Sequence, residues 1–121
     1  MDNNDISSLQ IRVRLDNGHE LGPLKADLMD AIALHGSIAS AGRALGVSYK
    51  HAWRLVDDLN SSFAAPLVHK TTGGSHGGGA GLTGPGIAVL AAYRSIQTKA
   101  VRGASADLLR LYKLAENSSN V

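Results

Sequence analysis

The sequence predicts one mostly helical domain with a small β-hairpin, an N-terminal strand and a long C-terminal helix. Three observations predict it. Helical apolar spacing fills most of the chain from Pro23 onward. Two short helices meet at Gly46-Val47-Ser48. A glycine-rich stretch, TTGGSHGGGAGLT from Thr71 to Thr83, separates two short strand-like segments.

The chain of 121 residues suits a single domain with a modest core. Met1 to Leu9 is expected to be a loose, flexible terminus, residues 10–116 the folded domain, and 117–121 a fraying polar tail. The domain opens with LQIRVRL. Leu9, Ile11, Val13 and Leu15 alternate with Gln10, Arg12 and Arg14, which predicts a half-buried strand closed by Asn17-Gly18. GPLKADLMDAIALHGS predicts a helix with Pro23 in its first turn, a stripe of Leu24, Leu28, Ala31 and Ile32, and Gly36 as its stop.

Ser37 is placed to cap a second, short helix, SIASAGRALG, that Gly46 closes. Ser48 is placed to cap a third, SYKHAWRLVDDLN. Its apolar stripe is Tyr49, Ala52, Trp53, Val56 and Leu59, with Trp53 read as core. Lys50, His51 and Arg54 face elsewhere. A short small-residue helix, a tight turn and an amphipathic helix with a cationic start form the profile of a helix-turn-helix. Ala39, Ala41, Gly42 and Ala44 allow the two helices to cross closely.

After Pro66, LVHK predicts a strand, and Ala80 to Thr83 a second one pairing back. Thr83 can cap the last helix, IAVLAAYRSIQTKAV, which Gly103 kinks or ends before ADLLRLYKLAEN adds more helix. A broad stripe there, including Ile87, Leu90, Tyr93 and Ile96, suits pairing with a second copy.

The composition of the glycine stretch suits three roles: a phosphate or dinucleotide cradle, a linker and a wing. GAGLTG, Gly79 to Gly84, matches a dinucleotide fingerprint, but the preceding LVHK is too short and polar for the buried strand that motif needs. The phosphate-loop pattern fails because Gly79 stands where lysine is required. A linker needs a second domain, and the residues that follow carry mostly one helical pattern. The favoured reading is a wing: helix-turn-helix, strand, thin loop, strand, helix. Glycine lets such a loop turn tightly and bring its backbone N–H groups to phosphate. The fold class is therefore a winged helix-turn-helix.

The net charge is only +2, with no cysteine. Residues 1–36 hold three Lys/Arg against six Asp/Glu; residues 37–83 hold four against two, and residues 84–121 five against two. The basic character after Gly36 hints at a polyanionic partner. The lack of cysteine fits a reducing interior, and MDNNDISSLQ shows no signal peptide, so a cytoplasmic protein is expected. The histidines, His19, His35, His51, His69 and His76, make no metal-ligand spacing, and Asp57 and Asp58 point apart on a helix. No cofactor, no metal and no enzymatic activity are expected.

At this point the residues resemble a known family. GSIASAGRALGVSYKHAWRLVDDLN followed by LVHKTTGGSHGGGAGLTGPG looks like the N-terminal winged helix of the molybdate-responsive transcriptional regulators, the ModE family. The GSI start, the SYK-x-AW core and the T-GG-x-x-GGGA-x-LT wing occur in order, within a resemblance covering about Leu21 to Lys99. More distantly the plan is similar to LysR-type regulators. The resemblance implies a sequence-specific regulator of transcription that binds double-stranded DNA at a near-palindromic operator. It implies a homodimer joined through the N-terminal strand and helix and the last helix, with recognition helices ~34 Å apart.

The DNA-contacting residues expected are Ser37, Ser48, Tyr49, Lys50, His51 and Arg54 on the helices. In the wing they are Lys70, Thr72, Gly73, Gly74, Ser75, His76, Gly77, Gly78 and Gly79. Trp53 matches a family tryptophan that packs inward. Family members that sense molybdate do so in a separate oxyanion-binding part, and nothing in these residues matches it, so no molybdate site is expected. The competing reading is a protein-interaction module on the same scaffold.

Overall fold

A computed structural model describes residues 9–71 and 78–119 of the chain. Two β-hairpins and four helices follow in the order β1 (Val13–Arg14), β2 (Glu20–Leu21), α1 (Pro23–His35), α2 (Ile38–Leu45), α3 (Tyr49–Ser62), β3 (Val68–Thr71), β4 (Gly79–Leu82) and α4 (Gly84–Ser119). Both hairpins are antiparallel. This is a winged helix-turn-helix with a long last helix. Among the described residues no helix is long and apolar enough to cross a membrane.

The first strand is shorter than its alternating pattern predicts. Only Val13 and Arg14 pair, with Leu21 and Glu20 of a strand the sequence did not reveal. Gly18 turns the hairpin at φ 90°. The side chain of Asn17 ties this turn to the far end of α3, donating to the Ser62 carbonyl at 2.8 Å.

The helix ends follow the predicted caps. The Gly36 N–H bonds the Ile32 carbonyl at 2.8 Å with φ 75°, a left-handed stop. Ser37 accepts from the Ser40 N–H and Ser48 from the His51 N–H, both at 3.0 Å. At the turn, Val47 N–H reaches the Gly42 carbonyl and Gly46 N–H the Arg43 carbonyl, a Schellman stop. A Cβ on Gly42 would stand 3.2 Å from the Ala52 Cβ, so the small residue sets how closely α2 and α3 cross.

One core cluster joins α1, α2, α3 and β3 through Leu28, Ile32, Ile38, Ala52, Val56 and Val68. A second joins Leu21, Ala26, Met29, Leu59, Leu67 and Tyr93, under α4. Burying each large aliphatic side chain contributes about 1.5–3 kcal/mol. Two members of the stripes expected in α1 and α3 lie outside: Leu24 and Tyr49 are exposed, while Met29 and Leu55 are buried in their elements. The first turn of an amphipathic helix overhangs the body it packs on, and both outliers sit in first turns.

α4 is continuous for 36 residues, so Gly103 neither ends nor breaks it. Thr83 caps it as expected, accepting from Gly86 N–H at 3.0 Å and donating to the Pro66 carbonyl at 2.7 Å. Tyr93 is buried and donates its hydroxyl to the Ile11 carbonyl. Burial pushes its phenol above the ordinary value, against the opposing pull of Arg94. Arg94 clamps α4 to α1 by bonding Asp27 at 2.8 Å and Asp30 beside it. Burial opposes the Arg94 charge, but the bonds to Asp27 and Asp30 outweigh it and hold the guanidinium firmly protonated.

Candidate nucleic-acid interface

The first turns of α2 and α3 and the β3–β4 hairpin converge on one cleft of about 420 Å³. Ser37, Ile38 and Ala39 form one side, Tyr49 and Trp53 the floor, and Lys70, Thr71, Gly78, Gly79 and Ala80 the other. Two tethers hold the hairpin there. Ala80 N–H bonds the Gly36 carbonyl at 2.8 Å, fixing β4 to the α1–α2 corner. The side-chain oxygen of Asn60 accepts from Leu67 and Val68 N–H, each at 2.9 Å, and its amide donates to the Val68 carbonyl at 3.1 Å. The end of α3 therefore fixes where β3 begins.

The hairpin register is Val68 with Leu82, His69 with Gly81, Lys70 with Ala80 and Thr71 with Gly79. Glycine at 81 leaves room for the His69 ring, whose Nε2 would stand 2.7 Å from a Cβ there. Thr71 Oγ1 accepts from Gly79 N–H at 2.9 Å and closes the described part of the hairpin. The expected wing residues Thr72, Gly73, Gly74, Ser75, His76 and Gly77 lie outside the described residues.

Lys70 stands with Nζ 4.4 Å from the centre of the Trp53 ring, and Tyr49 meets that ring edge-on at 6.0 Å. The ring's negative face attracts the ammonium, by about 0.5–1 kcal/mol at an exposed site. Trp53 is thus half-buried between core and cleft rather than wholly core, and its indole nitrogen, shielded from water, has no hydrogen-bond partner among the described residues.

Of the other expected residues, Lys50, His51 and Arg54 are exposed on α3 outside the cleft. The hydroxyls of Ser37 and Ser48 are engaged as helix caps. Farther along α3, Asp58 lies 3.9 Å from Lys25 of α1. Positive charge on α3 therefore gathers at its N-terminal half, where the helix dipole adds to it. Sequence reasoning missed Asn60, and Trp53 as part of the cleft floor. Neither stands out by spacing, because both roles depend on β3 returning to α3. Among the described residues no three His, Cys, Asp or Glu gather as a metal-binding set.

Comparison with known proteins agrees with this geometry. The family described as bacterial regulatory helix-turn-helix protein, lysR family, matches residues 25–86, from α1 through the hairpin to the start of α4. The chain is 44% identical over 80 residues to the molybdenum-pterin-binding protein MopB of Rhodobacter capsulatus, covering 66% of this chain and 30% of that protein. It is 38% identical over 82 residues to the molybdenum transport protein ModE of Azotobacter vinelandii, covering 68% and 30%. It is 40% identical over 81 residues to the DNA-binding transcriptional dual regulator ModE of Escherichia coli K12, covering 64% and 31%. The chain thus spans less than a third of the length of these relatives. By its match from the first helix through the wing, the chain belongs to the lysR-type family of bacterial regulatory helix-turn-helix proteins.

Proposed function

We propose that the chain binds duplex DNA sequence-specifically as a homodimer and regulates transcription in the cytoplasm, in connection with molybdenum. The observation that carries this reading is the pairing of an exposed cationic start of α3 with a hairpin held across a cleft from it. In this reading the N-terminal half of α3 enters the major groove. Arg54 and Lys50 meet base edges or phosphates, with Ser48, Tyr49 and His51 beside them. The hairpin, with Lys70, Gly78 and Gly79 and the expected tip Thr72 to Gly77, lies along the adjacent backbone. Ser37 lies at the α2 N-terminus, where free N–H groups favour a phosphate. The molybdenum connection is supported by the relatives, which include a molybdenum-pterin-binding protein and a molybdenum transport protein. No oxyanion-binding residue is assigned.

Selection from a pool of random duplexes at two salt concentrations tests the reading. An enriched inverted repeat with a steep salt slope is expected. Lys50→Ala with Arg54→Ala should lower affinity for it at least tenfold, since each base or phosphate contact contributes about 1–3 kcal/mol. If nothing is enriched, or the double variant binds as the parent does, the polar face of α3 docks on something other than DNA.

A further inference from the structure

The cleft between α2, α3 and the hairpin offers more than a DNA backbone needs. A phosphate backbone is held by cations and N–H donors at a surface. Here such donors share a cleft with an aromatic floor. Tyr49 and Trp53 make that floor, meeting edge-on at 6.0 Å. The small residues Ala39, Gly79 and Ala80 keep its walls apart. The space, about 420 Å³, is within the range that small organic ligands occupy.

The electrostatics of the cleft favour an anion. Lys70 brings a full positive charge, and no carboxylate pairs with it among the described residues. Among the described residues no acidic side chain lines the cleft. Ile38 and Ala39 open α2 beside it, and their N–H groups precede the first intrahelical bond. The Ser37 side chain takes the Ser40 N–H and its carbonyl takes the Ala41 N–H, which leaves Ile38 and Ala39 to serve an outside acceptor. The Trp53 indole N–H has no partner among the described residues, so no hydrogen bond holds the ring in place.

We infer that this cleft binds a small aromatic carboxylate of one or two fused rings. Lys70 stands with Nζ 4.4 Å from the centre of the Trp53 ring. A planar ring entering the cleft takes that place against the indole and Tyr49. The flexible lysine stem lets the ammonium swing to the carboxylate, exchanging a cation–π contact for a charge-assisted hydrogen bond. The N–H groups of Ile38 and Ala39 receive the other carboxylate oxygen. Inorganic phosphate meets the same donors but leaves the aromatic floor uncovered, so it binds more weakly. The consequence for regulation rests on the DNA reading above: ligand and duplex compete for Lys70 and the hairpin, and the ligand releases the DNA.

The probe is 2-naphthoate, titrated by calorimetry into the full chain without DNA. A Kd below about 1 mM is expected. Inorganic phosphate and 2-naphthalenemethanol, the uncharged analogue, should bind about tenfold more weakly or worse. Lys70→Met keeps most of the stem without the charge, and Ala39→Leu fills the cleft; each should weaken 2-naphthoate about tenfold or more. In proton–nitrogen correlation spectra the single indole N–H signal should shift, together with those of Ile38 and Ala39. Far-UV circular dichroism checks that each variant folds. No binding, equal binding of phosphate or the alcohol, or two folded variants that bind as the parent does would overturn the site. Adding 2-naphthoate to a duplex complex then separates the two readings. Duplex affinity that falls as the cleft fills supports the competition. Ligand binding that leaves duplex affinity unchanged keeps the site and sinks the placement of the cleft against DNA. A chain that selects no duplex yet binds 2-naphthoate sinks the DNA reading and leaves the site standing.

Discussion

At the scale of single residues, Gly86 carries a constraint that neighbouring sequence does not announce. It lies in the first turn of α4, where any residue is conformationally acceptable. A Cβ there, however, would stand 2.1 Å from the Leu67 carbonyl oxygen, which is backbone and cannot swing aside. The same carbonyl already accepts from Thr83 N–H at 3.0 Å. Gly86→Ala must therefore push α4 off the start of β3. We expect a loss of about 3 kcal/mol in urea unfolding, at the upper end of overpacking costs; a loss under about 0.5 kcal/mol would mean the junction is pliable. Thr83, by contrast, was legible as a cap from its place before an apolar run. The difference is one of range. A cap bonds within its own helix and leaves a local pattern. The Gly86 contact, the Asn60 bracket and the Lys70–Trp53 stack join positions that only folding brings together. The spacing that marked Trp53 as core correctly gave the helix face but not how far around it the body extends.

At the scale of elements, the starts of the three short helices were readable nearly to the residue from a capping serine or a first-turn proline, and the ends of α1 and α2 from the stopping glycines Gly36 and Gly46, whereas α3 ends at Phe63 with no glycine to mark it. β2 was not readable, since two residues are too few to show a period. Gly103 misled in the other direction: its intrinsic cost of about 1 kcal/mol is small beside a helix that continues on both sides of it. The wing was legible as a hairpin, and its anchorage was not. That anchorage makes it measurable, because Trp53 is the only tryptophan and lies between α3 and the hairpin. Binding of a duplex should change Trp53 emission as the cleft fills. Lys70→Ala should remove most of that change and raise Kd about three- to tenfold, the loss of one cation at the backbone. Emission that stays constant while binding proceeds by another method would separate the hairpin from the DNA.

At the scale of the whole molecule, the two recognition elements of a dimer act together only if their spacing matches the DNA. α4 extends the arrangement rather than the core. Its first half is clamped to α1 by Arg94, so whatever holds the far half of α4 also sets the orientation of α3. A dimer joined through α4 should read two half-sites on one face of the duplex, about 34 Å apart or a multiple of it. Inserting about five base pairs between the half-sites of a selected operator rotates one of them to the opposite face. Affinity should then fall toward that of a single half-site, at least thirtyfold, while inserting about ten should recover part of it. The salt dependence provides a second reading of the same geometry. A dimer with both halves engaged releases twice the counterions of one half, so its slope against log salt should be nearly double that measured on the five-base-pair insert. Equal affinity and equal slope on all spacings would mean that each copy binds alone, and that α4 does not transmit the position of one α3 to the other.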